Sequence, residues 1–143
     1  MKFLAIPIIV YIINTLIKSW FLWINKRPVY GGEVLWNFLW VGQFPSSHAA
    51  VLASCLTLVY MENGLSPIFA FCCFVGYMLL YGFLEDKKRQ KLYEGYFSKS
   101  SDAALKQIGT DKILMDFSGH NLPDLAFGLV EGFLITFLLT RIF

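Results

Sequence analysis

From Phe3 to Ile24 the chain is apolar apart from Asn14, Thr15, Lys18 and Ser19. An α-helix needs about 20 such residues to cross the hydrocarbon of a bilayer, where backbone polar groups must satisfy one another within the segment. Three more apolar stretches follow, Pro45 to Tyr60, Ser66 to Leu84 and Asp124 to about Thr140. Hydrophobic residues make up 57% of the 143 and charged residues only 15%, more apolar surface than a soluble domain of this length can hide. The pattern predicts an all-α, polytopic membrane helical bundle with about four transmembrane helices, residues 1–143 forming a single integral membrane domain. Lys2 before the first run resembles the start of a signal peptide, but no small-residue cleavage site follows and Lys18 interrupts the run, so it reads as a membrane helix. Cys55, Cys72 and Cys73 all fall inside apolar runs, where small buried hydrophobes are expected rather than a disulfide or zinc framework.

Between the spans, Asn25 to Gly32 is a polar turn with Lys26, Arg27 and Pro28, and Glu33 to Val41 is aromatic and too short to cross. Trp36 and Trp40 suit a short interfacial or re-entrant helix. Met61-Glu62-Asn63-Gly64 is a tight connection that makes the second and third helices antiparallel neighbours. From Glu85 to Asp116 the chain is charged, a solvated amphipathic segment, partly helical, that Leu92, Tyr93, Tyr96, Phe97, Leu105 and Ile108 can anchor on the bilayer. Four spans put both termini on one side and the two large loops on the other. Lys2 and Arg141 lie on the first side and Lys18 within a span, and the loops carry the other nine of the twelve basic residues. Positive charge in loops favours the cytoplasm, so a site on that face is expected to be cytoplasmic and both termini opposite. The net charge of +2, with acids interspersed among the bases, argues against nucleic acid as a partner.

Gln43-Phe44-Pro45-Ser46-Ser47-His48 is where the chain turns polar and then starts a helix. Pro45 has no N–H to lose, and a helix start leaves unpaired amides and the positive end of the dipole, which together favour an anion such as phosphate. Pro-Ser-Ser is also ordinary capping chemistry, so the stretch alone does not decide. The topology brings Lys18, Arg27, His48 and His120 to the same membrane face. Cations and amides can hold phosphate oxygens, one histidine can attack, and the other can protonate the leaving oxygen. Asp124, at i+4 from His120, shares a face with it if the last helix begins that early, and can then hold the imidazole N–H. Lys18 can equally snorkel to the interface. A metal site is the competing use of two histidines and an aspartate, disfavoured by the nearby cations, and neither a metal nor a cofactor is expected.

Gln43-Phe44-Pro45-Ser46-Ser47-His48-Ala49-Ala50 resembles the Pro-Ser-Ser-His motif of the divergent branch of the type 2 phosphatidic acid phosphatase superfamily, which is related to vanadium haloperoxidases. Gly119-His120 with Asp124 four residues on resembles that branch's Gly-His-x-x-x-acid motif, and Lys18 with Arg27-Pro28 resembles the superfamily's first motif, stretched by two residues. The resemblance implies a metal-independent phosphatase acting through a phosphohistidine, with His120 as nucleophile, Asp124 as its orienting partner and His48 as general acid. Lys18, Arg27 and the backbone of Ser46 and Ser47 are the implied phosphate ligands. Where the branch carries Tyr-Asp and Arg-Arg pairs after the third helix, this chain has Tyr81-Gly82 and Lys87-Lys88, followed by Arg89, so Lys87, Lys88 and Arg89 join the expected phosphate ligands.

The leading expectation is a membrane lipid phosphatase hydrolysing a lipid phosphomonoester or prenyl diphosphate. The alternative is a non-catalytic membrane protein that binds an anionic lipid headgroup or a partner. Beyond the lipid phosphate and the bilayer, a homodimer is one way for a small bundle to enclose its site. Glu131, an acid inside the last span, is either a functional group or the partner of a polar neighbour such as Asn14.

Overall fold

The computed structural model describes residues 2–24, 44–110 and 120–142. Among these every regular element is a helix, with α1 at Lys2–Ile24, α2 at Ser47–Asn63, α3 at Pro67–Ser98, α4 at Ala103–Thr110 and α5 at Leu122–Leu139. The expected segments between 25 and 43 and the end of the charged segment, with Arg27, Trp36, Trp40, Gln43 and Gly119, lie outside the described residues. Three of the described helices, α1, α3 and α5, are long and apolar enough to cross a bilayer. The protein is an integral membrane helical bundle.

The fourth expected span, α2, is the centre of the bundle and touches α1, α3 and α5. Its 17 residues give a rod of roughly 25 Å. Its buried residues are mostly small, Ala49, Ala50, Ala53, Ser54 and Thr57 with Leu58, because α5 presses against it backbone to backbone. A Cβ on Gly128 would land on the Ser46 carbonyl oxygen, and one on Gly132 on the Ala50 carbonyl oxygen. Small residues at i, i+4 and i+8 on α5 (Gly128, Gly132, Thr136) thus form the seam, as lipid-embedded helices favour. Thr136 Oγ1 donates across it to Ser54 Oγ at 2.7 Å. On α1 the buried positions step by four, Ile6, Val10, Asn14 and Lys18, so one stripe changes from apolar to polar as it climbs.

Gly64, with φ of 59°, turns the chain from α2 into α3. Helix α3 departs from expectation at its far end: it does not stop near Leu84 but runs unbroken for 32 residues to Ser98, roughly 48 Å. Its last turns therefore stand beyond the hydrocarbon, and α4 packs back against it, capped by Asp102 Oδ1 accepting from the Ala104 amide at 2.8 Å. Lys, Glu, Arg and Gln are good helix formers, and only Gly95 interrupts them, so the charges of this stretch decorate a helix instead of ending it. Of the apolar anchors, Leu92, Tyr93, Tyr96 and Leu105 are exposed and Phe97 half-buried. The cysteines are free but not buried as expected: Cys55 is exposed and Cys72 and Cys73 half-exposed.

The two ends of the bundle differ. At one, Lys2 Nζ pairs with Glu62 Oε2 at 2.9 Å, and Ile6, Met61 and Thr140 line the same hollow. At the other, the top of α1, the start of α2 and the start of α5 meet, and α3 projects past them.

Candidate functional site

The site forms where α2 begins. Ser46 is its N-cap, with Oγ accepting from the Ala49 amide at 3.3 Å, and the helix ladder starts with the Ala50 amide donating to the Ser46 carbonyl at 3.1 Å. The Ser46 amide is itself spent on the Asp124 carbonyl at 3.2 Å, which ties the start of α2 to the start of α5. Ser46 is fully buried and structural, so it does not offer the phosphate an amide as expected. The first-turn amides that neither cap nor ladder uses are those of Ser47 and His48.

His120 sits one residue before the cap of α5. It is 1% exposed, its amide donates to the Phe83 carbonyl at 3.3 Å, and among the described residues neither ring nitrogen has a hydrogen-bond partner. The His48 ring lies 5.7 Å from it, centre to centre, and Phe83 touches both rings, at 4.8 Å from His48 and 5.8 Å from His120. Burial, then the neighbouring His48 and Lys18, push the His120 pKa down to about 4, against a smaller opposing pull from Asp124. Its imidazole is therefore neutral at physiological pH and carries a free lone pair, the state a nucleophilic histidine needs.

Asp124 does something other than expected. Asn121 caps α5 and Pro123 occupies its first turn, so the helix starts at Leu122 and His120 lies outside it. The i+4 face argument fails for that reason. Asp124 Oδ2 instead accepts from the Asn121 amide at 3.0 Å and from Asn121 Nδ2 at 3.4 Å. It holds the residue next to His120 in place rather than the imidazole.

Lys18 does not snorkel. It is 6% exposed, turned inward, and its Nζ donates to Ser47 Oγ at 2.9 Å. Ser47 Oγ in turn donates to Asn14 Oδ1 at 2.6 Å, and Asn14 Nδ2 donates to Glu131 Oε2 at 2.8 Å. The basic residues of α3 separate by register. Gly76, Leu80, Phe83 and Lys87 form one stripe, with Gly76 against Leu52 of α2 and Phe83 against the histidines, so Lys87 follows on the site's side and its charge reaches His120. Lys88 is turned away into a 2.6 Å pair with Glu85, and Arg89 is exposed. The structure thus brings Lys18, Ser47, His48, Lys87 and His120 together, and leaves Lys88 and Arg89 aside. Arg27 lies outside the described residues. No three side chains of His, Cys, Asp or Glu gather as metal ligands among the described residues.

Two features carry no motif signal. Phe83 is an ordinary apolar residue in the sequence, recognisable only through its place in the Gly76 stripe. Phe44 forms an aromatic wall with Phe21 at 5.1 Å and Phe127 at 4.7 Å on the α1 and α5 side of the site.

A family model described as the divergent PAP2 family matches residues 1–135, nearly the whole chain and all of this site. The chain belongs to the divergent PAP2 family. It is accordingly a membrane protein related to phosphatases. Neither curated proteins nor solved structures give a match to this divergent PAP2 chain.

Proposed function

We propose that this divergent PAP2 protein is a lipid phosphatase that hydrolyses a lipid phosphomonoester or prenyl diphosphate through a phosphohistidine at His120. What carries the reading is His120 itself, buried, neutral and with both ring nitrogens unpartnered among the described residues, facing His48 at the start of a helix. The Lys18 ammonium and the Ser47 and His48 amides hold the phosphate oxygens, with Lys87 adding positive charge. A His120 ring nitrogen attacks phosphorus, the bond from phosphorus to the lipid oxygen breaks, and His48 gives that oxygen a proton. Water then attacks the phosphohistidine and passes a proton to His48 as the P–N bond breaks, releasing inorganic phosphate. Asp124 acts as a positioning residue, through the Asn121 amide. No metal or cofactor enters these steps. The basic extension of α3 beyond the histidine end supports a cytoplasmic orientation for that end.

A second reading, a non-catalytic binder of anionic headgroups, draws on Asp124, whose carboxylate is engaged with Asn121 and not with the imidazole. Phosphate release from a panel of lipid phosphates in mixed micelles separates the two. Turnover is expected to vanish in His120→Ala and to fall by about 10²–10⁴ in His48→Ala. Turnover unchanged in both variants refutes the phosphohistidine route through His120 and His48, and headgroup binding without release favours the second reading.

A further inference from the structure

Glu131 lies nine residues beyond Leu122, roughly 13 Å along α5 from its start, away from the histidines. It is nonetheless joined to Lys18 by an unbroken chain of hydrogen bonds through Asn14 and Ser47. We infer that Glu131 is a positioning residue of the phosphate site, setting the polarity of this chain and so the place of the Lys18 ammonium. The inference rests on the proposed role of Lys18 as a phosphate ligand.

The argument is one of donors and acceptors. Ser47 Oγ has a single proton. In the observed arrangement it goes to Asn14 Oδ1, which leaves the hydroxyl lone pairs to receive Lys18 Nζ–H. That requires the Asn14 amide to present its oxygen to Ser47 and its nitrogen to α5. Only an acceptor at position 131 rewards that orientation, and Glu131 Oε2 supplies it. With no acceptor there, the amide is free to turn, its NH2 faces Ser47 Oγ, and the hydroxyl proton is driven towards Lys18, where an ammonium repels it. Asn14 is fully buried and Glu131 is 8% exposed, so water cannot repair a broken link and each group depends on the next. The seam explains why α5 can provide the acceptor. Gly132, the next residue, brings the α5 backbone against Ala50, close enough for a carboxylate to reach across to α1.

The test uses the full chain in nanodiscs with three variants, Glu131→Gln, Glu131→Leu and Ser47→Ala, compared at equal amounts of folded protein. Glutamine keeps an acceptor for Asn14 and is expected to bind orthovanadate within about twofold of wild type. Glu131→Leu is expected to weaken orthovanadate about tenfold, the loss of one charge-assisted hydrogen bond, and to raise KM for a lipid phosphate similarly while kcat changes less than about threefold. Ser47→Ala is expected to match it, and the double variant to add little, because both cut the same chain. A merely structural Glu131 would instead lower kcat and folded yield together, with no rescue by glutamine. Acylation of Lys18 by a water-soluble amine reagent, read by mass spectrometry, gives an arm independent of catalysis. Labelling is expected to be several-fold faster in Glu131→Leu and Ser47→Ala than in wild type and Glu131→Gln. Equal Lys18 labelling across all four proteins overturns the inference. A wild type that binds no orthovanadate and releases no phosphate refutes the phosphatase reading instead, and the labelling arm still decides the chain. Should Glu131→Leu fail to fold, Ser47→Ala carries both measurements.

Discussion

The seam between α2 and α5 can be tested at one atom. In Gly132→Ala the new methyl would lie 2.7 Å from the Ala50 carbonyl carbon and 2.8 Å from its Cα, and closer still to the carbonyl oxygen. Carbon atoms in contact rest at about 3.5–4.0 Å, so the helices must part by roughly 1 Å. Overpacking costs about 1–3 kcal/mol, and the obstacle here is backbone, which cannot rotate aside, so the upper figure applies. Alanine returns about 1 kcal/mol of helix propensity over glycine, leaving a net loss of about 2 kcal/mol, roughly thirtyfold in the folding equilibrium. Gly82→Ala is the matched control, because a Cβ there meets nothing within 4 Å and only the propensity gain remains. Unfolding of both variants in mixed micelles, followed by circular dichroism as denaturing detergent is raised, measures the difference. The variant should also weaken orthovanadate, since parting the helices draws Glu131 from Asn14 and the α5 start from Ser46. Equal stability of Gly132→Ala and Gly82→Ala would refute the claim that backbone contact at this glycine holds the bundle.

Two further predictions concern charge. The folded-state pKa of His120 is depressed to about 4 from an ordinary value near 6.5, so His120 should stay neutral through that interval in histidine-labelled NMR spectra. The unfolded chain takes up the proton first, so His120's contribution to stability is complete above about pH 6.5 and is lost as pH falls towards 4, a loss that His120→Ala should remove from the pH dependence of unfolding. On α3, Lys87→Ala is expected to weaken orthovanadate several-fold, while Lys88→Ala, an exposed residue paired with Glu85, should change it by less than about twofold. The reverse order in a binding titration would show that the stripe through Phe83 has been assigned to the wrong register.

Much of the fold could be read from the apolar runs, and the errors have a common physical origin in helix ends. Helix α3 was expected to stop where charge begins, yet charge does not end a helix. What ends it is a loss of propensity together with caps, and these come only at the serines from Ser98 to Ser101. Asp124 was placed beside His120 by counting four residues along a helix, but Asn121 and Pro123 are start signals, and with Asp124 three residues after the cap they spell a capping box. The Pro-Ser-Ser pattern suggests Ser46 as a phosphate ligand, but its amide goes to the Asp124 carbonyl of the neighbouring helix. The candidate site itself was more legible than its supports. His48, His120 and Lys18 stand out because titratable groups are costly in an apolar chain and must converge on something. The same reasoning extends to the other polar residues of the spans. Asn14 and Glu131 are 117 positions apart in the chain, and Ser54 and Thr136 are 82 apart, yet each pair is joined by a buried hydrogen bond. In hydrocarbon a polar side chain that does not find another is left unsatisfied, so polar residues inside apolar runs constrain one another as strongly as a motif does. Asn14, Lys18, Ser47 and Glu131 match as donors and acceptors in the sequence, and that match is the chain that links the middle of α5 to the candidate phosphate site.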